Sequence, residues 1–492
     1  MLSSPKRGGG SAAERAAKAR KQEADAKLVS DQIDAMLEEE KNNLAKHRSV
    51  IRILLLGQSE SGKSTVLKNF QLMYARDAFV RDRDNWRGVI LLNVVRCMQR
   101  VVEALIQADE HDSGDEQADE DAPPPLSSIL TDSHRRKCMR LRASLDLSEK
   151  ALKARISPSL TSHLPRSRPS TAEQPLVDPE AETELAVQAH TWNTLRLESG
   201  PKAPSSSRRL SALPNVEDLQ AASANPKDPL NLTATCRQDM LDLWFDPVVK
   251  EILAKRKVRW QEWPGLYVRC STSPIHASDH ITSFLNDLDR VTAQNYRPID
   301  DDVVRARLKT MGVSDYSFVI DQGPRGTYMW RVLDVGGSRT QRHQWMQYFE
   351  DASAVIFLAP LSAFDQKLAE DRSVNRLEDS LLLWKSVCAS KLLANVDFIL
   401  FLNKVDILSA KLRSGVRVQK YVKSYRDRPN TAEAAAKYFK DKFQAIQREY
   451  SPKKRPFYCY LTSVIDTKAT NAILDNVGES LLRKNLQTIG VL

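Results

Sequence analysis

The stretch Leu54-Leu55-Leu56-Gly57-Gln58-Ser59-Glu60-Ser61-Gly62-Lys63-Ser64-Thr65 constrains this chain more than any other. It reads as an apolar strand, a glycine-bounded loop and the start of a helix, and it fits the G-x-x-x-x-G-K-[ST] phosphate loop. Glycines at both ends let successive backbone N–H groups turn inward toward phosphate oxygens, and the positive end of the following helix adds to that field. Lys63 is placed to reach the β- and γ-phosphates and the Ser64 hydroxyl to ligate Mg²⁺. Glu60, Ser61, Gly62 and Thr65 complete the cradle.

The run Val50 to Leu56 is short, β-branched and bounded by the loop, as a strand buried on both faces of a parallel sheet would be. Further β-like runs fall at Tyr316–Ile320, Tyr328–Leu333, Ala354–Leu358, Phe398–Leu402 and Phe457–Leu461, separated by helical patterning, with a last helix over about Ala469–Gln487. Strands alternating with helices predict a mostly parallel, two-sided α/β sheet. The 492 residues, 41% hydrophobic, suffice for two or three domains. Residues 11–48 are rich in Ala, Glu, Lys and Arg and read as a long helix, either a solvated spacer or a docking helix. From about 109 to 235 the text turns acidic, then Ser/Pro/Arg-rich. That span is expected to be largely disordered, with a short helix near 132–155, and removable without loss of nucleotide binding. Within it, Arg208-Arg209-Leu210-Ser211 resembles a basic-directed phosphorylation motif, but the motif is short and commonplace and an unmodified loop explains it better.

The net charge of +10 comes without aromatic residues interleaved in a basic groove, so basic tails and faces explain it better than nucleic-acid binding. Six cysteines are scattered with no C-x-x-C pair, which argues against zinc sites and a disulfide scaffold and suits a reducing compartment. Neither a transmembrane-length apolar run nor a signal-peptide core is read in the sequence.

Two further motifs follow in order. Asp334-Val335-Gly336-Gly337 ends one strand, where an acid can hold Mg²⁺ through water and the Gly337 amide can meet a γ-phosphate. Asn403-Lys404-Val405-Asp406 ends another, and a carboxylate there can accept from both N1–H and the 2-amino group of guanine. Adenine offers no such donor pair and would leave Asp406 unpaired. The ordered set indicates GTP rather than ATP.

With these residues in view the chain resembles a heterotrimeric G-protein alpha subunit. Besides the loop, the resemblance rests on Leu285-Asn286-Asp287-Leu288-Asp289-Arg290, Arg305-Ala306-Arg307-Leu308-Lys309-Thr310, Asp334-Val335-Gly336-Gly337, Ala369-Glu370-Asp371, Phe401-Leu402-Asn403-Lys404 and Lys484-Asn485-Leu486. It implies a phosphate-loop GTPase domain (49–68 and 303–492) with an inserted all-helical domain (69–302), preceded by the N-terminal helix (1–48). It implies GTP/GDP and Mg²⁺ as ligands, a beta-gamma dimer and a seven-helix receptor as partners, and a peripheral place on the cytoplasmic face of the plasma membrane. By the same resemblance Arg307 is an arginine finger, Thr310 completes Mg²⁺ coordination with Ser64, and Val304, Arg305 and Asp279 border the nucleotide. The loop Thr462-Ser463-Val464-Ile465-Asp466-Thr467 stands where the family contacts guanine O6, through the Val464 amide. Residues Lys484 to Leu492 form the receptor-reading tail.

The chain also departs from the family. Position 2 is Leu2 and the earliest cysteine is Cys97, so no acylation motif is evident, and membrane attachment is expected to rest on the beta-gamma partner and a basic surface including Lys411, Arg413, Arg417, Lys420, Lys423, Arg426 and Arg428. Ser338 stands where relatives have the water-orienting glutamine, and Ser59 where they have glycine. Slow hydrolysis is therefore expected, with a GTP-binding scaffold of negligible turnover as the rival reading. Gln341 and His343 lie further along and are expected to reach the site only if that segment refolds.

Overall fold

The computed structural model describes residues 50–111, 129–156, 186–188, 235–256, 267–269, 280–282, 284–311, 313–321, 327–368 and 370–488. The expected N-terminal helix, the Ser211 motif, Asp279 and the last four residues lie outside them. By compactness the chain divides into two units. One runs to Arg52 and takes in Ser317–Arg331; the other, Ile53–Tyr316 with Val332–Leu492, contains every nucleotide-site residue described below.

Strand β1 (Val50–Gly57) leads into the phosphate loop and helix α1 (Lys63–Tyr74). Two long helices follow, α2 (Trp86–His111) and α3 (Asp132–Ile156), which pack on one another. Short helices α4 (Arg237–Phe245) and α5 (Pro247–Lys255) meet at Asp246, whose carboxylate caps α5 by accepting from the Val248 amide, while Pro247 takes the first helical position. Helix α6 (Asp300–Arg305) then delivers the chain to the sheet strands Val313–Asp321, Thr327–Val335, Ala354–Pro360, Asp397–Asn403 and Tyr458–Leu461. Helices α7 (Arg376–Ala389), α8 (Val405–Arg413), α9 (Ala432–Tyr450) and α10 (Thr467–Thr488) alternate with the later strands.

The sheet has six strands. From one edge the order is Tyr458–Leu461, Asp397–Asn403, Ala354–Pro360, β1, Thr327–Val335 and Val313–Asp321. The pairings of the first four are all parallel, with Gly57 opposite Leu358 and Pro360 opposite Asn403. Every residue of Ala354–Pro360 and Asp397–Asn403 is buried, as strands covered on both faces must be.

Two separate apolar cores support two bodies of structure. One draws on residues 72–306 and is helical; the other draws on Leu54, Leu56 and residues 333–443, where Trp384 packs against Phe357, Phe398 and Phe443 across the sheet and α9.

The helix expected near 132–155 is present as α3, Asp132–Ile156, but the expectation that the span from 109 to 235 is largely coreless needs correction at its N-terminal end. Helix α2 continues to His111, and α3 inserts Cys138, Leu141, Leu145 and Leu152 into the helical core. These apolar residues recur at helical spacing but are diluted among Arg, Lys, Glu and Ser, so composition hides a stripe that burial reveals. Ion pairs sew the helix to its neighbours, Arg96 with Glu149, Lys137 with Asp242 and Arg140 with Asp239, and His134 Nε2 lies 3.0 Å from Asp246 Oδ2. A three-residue strand, Ala186–Gln188, also falls inside the span and pairs in parallel with Lys309–Met311.

Removing residues 115–230 takes away α3, so that deletion is expected to unfold the helical core rather than spare it. Leu145, fully buried, gives a milder test. Leu145→Ala should cost about 2–5 kcal/mol in urea unfolding, whereas an insertion that merely decorates the domain would register almost nothing.

Candidate functional site

The phosphate loop is built by backbone conformations that side chains resist. Gly57 (φ 138°) and Gly62 (φ 110°) lie on the left-handed side, and a β-carbon on Gly57 would strike the Leu358 carbonyl oxygen. Glu60 shares positive φ, at 61°, without being glycine. Ser61 is fully buried and its hydroxyl has no hydrogen-bond partner, a group left facing the interior of the loop. Lys63 opens α1 and lays its ammonium across the loop, donating to the carbonyls of Gly57 (2.9 Å) and Gln58 (2.8 Å). Burial lowers its pKa to about 8, partly offset by the negative charge of Asp334.

Ser64 donates to Asp334 Oδ2 at 2.6 Å, so a hydroxyl at the start of α1 meets a carboxylate near the carboxyl end of the strand Thr327–Val335, as a phosphate-bound Mg²⁺ requires. Among the described residues no cluster of three His, Cys, Asp or Glu side chains could hold a metal. Thr310 lies in the strand Lys309–Met311, its backbone opposite Val187; its side chain falls outside the description.

The base end converges on Asn403, completely buried. Its amide nitrogen donates to the Ser61 carbonyl (2.7 Å), and its oxygen accepts from the Val464 amide (3.1 Å) and the Thr462 hydroxyl (3.3 Å). The sequence reading assigned the Val464 amide to guanine O6. Here that N–H is spent on Asn403, because Val464 sits inside the loop, buried, with its carbonyl accepting from Asn69. Lys404 adopts a left-handed conformation (φ 62°) that turns the chain into α8. Asp406, in the first turn, keeps one buried carboxylate oxygen, Oδ2, without a partner. Burial raises its pKa, outweighing help from Ser463 and the Ile407 amide. A buried carboxylate with an unsatisfied oxygen suits a ligand presenting adjacent N–H donors, as guanine does.

Arg307 forms an ion pair with Glu60, and Arg376 from α7 takes Glu60's other oxygen (3.0 Å) and the Ser59 carbonyl (2.8 Å). Loss of solvent, then the nearby Arg376 charge, lowers the Arg307 pKa to about 9, which still leaves it charged at neutral pH. Its backbone is held from the helical domain: the Arg307 amide donates to Asn93 Oδ1 (2.7 Å) and Asn93 Nδ2 donates back to the Arg307 carbonyl (2.9 Å). Val304 is buried in the helical core and Arg305 pairs with Asp301. The segment before them is fixed by Asp302, a fully buried carboxylate gripped by Arg290 through two bonds of 2.8 Å and by the Tyr296 hydroxyl (2.7 Å).

The Asp334-to-Gly337 segment lies against the loop. The Ser59 amide donates to the Gly337 carbonyl (3.1 Å), and a β-carbon on Gly337 would collide with Ser59 N and Lys63 Nζ. A 3-10 helix, Arg339–Tyr348, follows; Arg342 grips Asp379 of α7, and Trp345 donates to the Gly336 carbonyl at 2.9 Å. Ser338 is buried, its hydroxyl donating to Gln341 Oε1 at 2.8 Å. The Gln341 carboxamide packs beside Gly336, because the tight helical turn brings residue 341 back over residue 338.

Several residues went unread in the sequence. Gln58 is buried and donates to the Arg376 carbonyl (2.8 Å) and to Asp379, coupling the loop to α7. Lys68 is buried on α1, donates to the carbonyls of Val303 (2.8 Å) and Ala306 (2.6 Å) and lies over the Trp86 ring, with burial lowering its pKa to about 7. A lysine five residues into a phosphate-loop helix, on its inner face, was the only available signal.

Fold and site together define a phosphate-loop protein that binds guanine nucleotides at the carboxyl edge of a parallel sheet. A sequence profile of the G-protein alpha subunit matches residues 27–481. The chain is similar to the guanine nucleotide-binding protein alpha-4 subunit of Mycosarcoma maydis (29% identical, covering 96% of this chain and 91% of that protein). It is similar to the alpha-1 subunit of Saccharomyces cerevisiae (27%, covering 95% and 96%) and the alpha-2 subunit of Caenorhabditis elegans (35%, covering 56% and 76%). The chain belongs to the G-protein alpha subunit family and is a guanine-nucleotide-binding GTPase and signal transducer.

Asp406→Asn should weaken GTP binding by roughly 10²- to 10⁴-fold, two charge-assisted hydrogen bonds being lost. It should not lower the stability of the nucleotide-free chain. A carboxyl whose folded pKa is raised destabilises the fold at neutral pH, a penalty that disappears as pH falls through that pKa toward 3.8. Nucleotide titration and thermal unfolding of the same two proteins over acidic to neutral pH would check both halves.

Proposed function

We propose that this alpha subunit is a Mg²⁺-dependent switch, GDP-bound and held by a beta-gamma dimer at rest, and released with GTP after a seven-helix receptor acts. The reading rests above all on the unpartnered Asp406 oxygen, at the end of a strand whose Asn403 is tied to the phosphate loop. The matched family and the relatives' names support it.

Membrane attachment is peripheral and relies on the partner dimer and on a basic surface. Exposed Arg413, Arg417, Lys420, Lys423, Arg426 and Arg428 supply that surface. Lys411 drops out of it, being buried with its ammonium on Asp365 and the Ser362 carbonyl. No helix among the described residues is long and apolar enough to cross a membrane. The C-terminal Lys484–Leu492 reads the receptor, its last apolar residues entering a groove. Removing the last five residues should abolish receptor-stimulated nucleotide exchange while leaving spontaneous exchange as it was; undiminished stimulation would place receptor reading elsewhere.

Hydrolysis is slow. Ser338 is two to three bonds shorter than glutamine, and Ser59 puts a hydroxymethyl beside the γ-phosphate position where transition-state groups pack. In single-turnover hydrolysis, Ser59→Gly with Ser338→Gln should exceed the natural protein by roughly tenfold or more. Equal rates would remove both serines from the explanation. The same two residues favour one other reading, a GTP-binding scaffold with negligible turnover, which would release no phosphate even over many hours.

A further inference from the structure

Gln58 touches two parts of the site at once, one through its backbone and one through its side chain. Its carbonyl accepts from Lys63 Nζ (2.8 Å), and the peptide it shares with Ser59 packs on Gly337, where an added β-carbon would collide with the Gln58 carbonyl carbon, Ser59 N and Lys63 Nζ. The Ser59 amide closes that contact by donating to the Gly337 carbonyl (3.1 Å). The side chain reaches α7. Only 1% exposed, it donates from Nε2 to the Arg376 carbonyl (2.8 Å) and to Asp379 Oδ2. Both neighbours are acceptors, which fixes the orientation of the amide and leaves Oε1 buried without a partner. An apolar side chain of similar length would carry no such penalty, so the amide is worth having at this position only for the bonds its nitrogen makes.

Asp379 is the other half of the link. Itself buried, it takes Arg342 through two bonds, Nη1 to Oδ1 (3.1 Å) and Nη2 to Oδ2 (2.6 Å), so Gln58 and Arg342 meet on the same carboxylate oxygen. Arg342 belongs to the 3-10 segment Arg339–Tyr348, which begins two residues after Gly337. The contacts thus close a ring: Gly337 carbonyl to Ser59 amide, Gln58 side chain to Asp379, Asp379 to Arg342, and the chain back to Gly337.

We propose that Gln58 is the positioning residue that couples the phosphate loop to the segment after Gly337 and so sets how strongly the site prefers a guanosine triphosphate to the diphosphate, an inference that rests on the guanine-nucleotide reading above. A γ-phosphate lies against the Lys63 ammonium and Gly337, the backbone end of the ring. The loop shape that admits it is the one in which Gln58 reaches Asp379 and Asp379 holds Arg342. A diphosphate has no group at that end and gains nothing from the ring. Binding of the third phosphate and docking of Arg342 therefore share one coupling free energy, and each strengthens the other by the same factor. Because Gln58 and Arg342 act through one oxygen of Asp379, their effects are not independent.

The test is a double-mutant cycle on the full chain, measuring the affinities for GDP and for the slowly hydrolysed analogue guanosine 5′-(γ-thio)triphosphate, both with Mg²⁺. The quantity read is the ratio of the two affinities. Gln58→Leu, which keeps the side chain's length and removes its donor, should lower the preference for the triphosphate roughly tenfold, and Arg342→Ala should do the same. The deciding arm is the double variant, whose ratio should fall no further than that of the more affected single variant. Damage to packing alone would weaken both nucleotides alike and leave the ratio where it was. A natural ratio in Gln58→Leu overturns the proposal, as does a double variant whose loss is the product of the two single losses. Should Gln58→Leu fail to fold, Gln58→Met takes its place with the same outcomes, and failure of both makes Gln58 a packing residue and overturns the proposal. A natural protein that binds the two nucleotides equally also overturns it, with the guanine-nucleotide reading intact, whereas one that binds neither defeats that reading itself.

Discussion

The site depends on one buried amide. Asn403 ends a wholly buried strand, and its side chain ties the phosphate loop at Ser61 to the last loop at Thr462 and Val464. These segments lie hundreds of residues apart in the chain, and a buried carboxamide must satisfy both its ends or destabilise the fold. Once Asn403 is satisfied, the loop's shape and the placement of Asp406 follow together, so phosphate and base recognition are set by a single constraint. The cost appears at the ligand positions, where Ser61 Oγ and Asp406 Oδ2 are buried without partners.

A second layer is electrostatic. Glu60, strained into positive φ, carries Arg307 on one side and Arg376 on the other, and Arg376 also holds the Ser59 carbonyl. Asp379 gathers Arg342 and Gln58 in the same way. Phosphate loop, α7 and the segment after Gly337 are thus joined through two carboxylates, each shared between two donors. The helical core contributes through Asn93 on the Arg307 backbone, and α1 reaches back through Lys68 to the carbonyls of Val303 and Ala306. Placement of Arg307 is therefore a property of helical and sheet cores acting on one short connection.

Helix α3 shows how composition misleads when charged residues are numerous. Its apolar stripe of Cys138, Leu141, Leu145 and Leu152 is narrow, and the remaining face is spent on ion pairs with α2 and α4. Such a helix has little reason to form alone and good reason to form against a neighbour.

The sequence by itself determined the parts whose physics is local. Glycine at 57 and 62, lysine at 63 and serine at 64 follow from the conformation and charge that a phosphate needs, the buried strands from their unbroken apolar runs, and Asp334, Asn403 and Asp406 from their places at strand ends. Tertiary structure decided what each side chain spends its hydrogen bonds on. It gave the Val464 amide to Asn403 rather than to a base, buried Lys411 against Asp365, turned Val304 into the helical core, and folded Gln341 over Gly336. No local pattern encodes these outcomes, because each depends on which distant donor or acceptor arrives first within about 3 Å, and that is fixed only when the cores are packed.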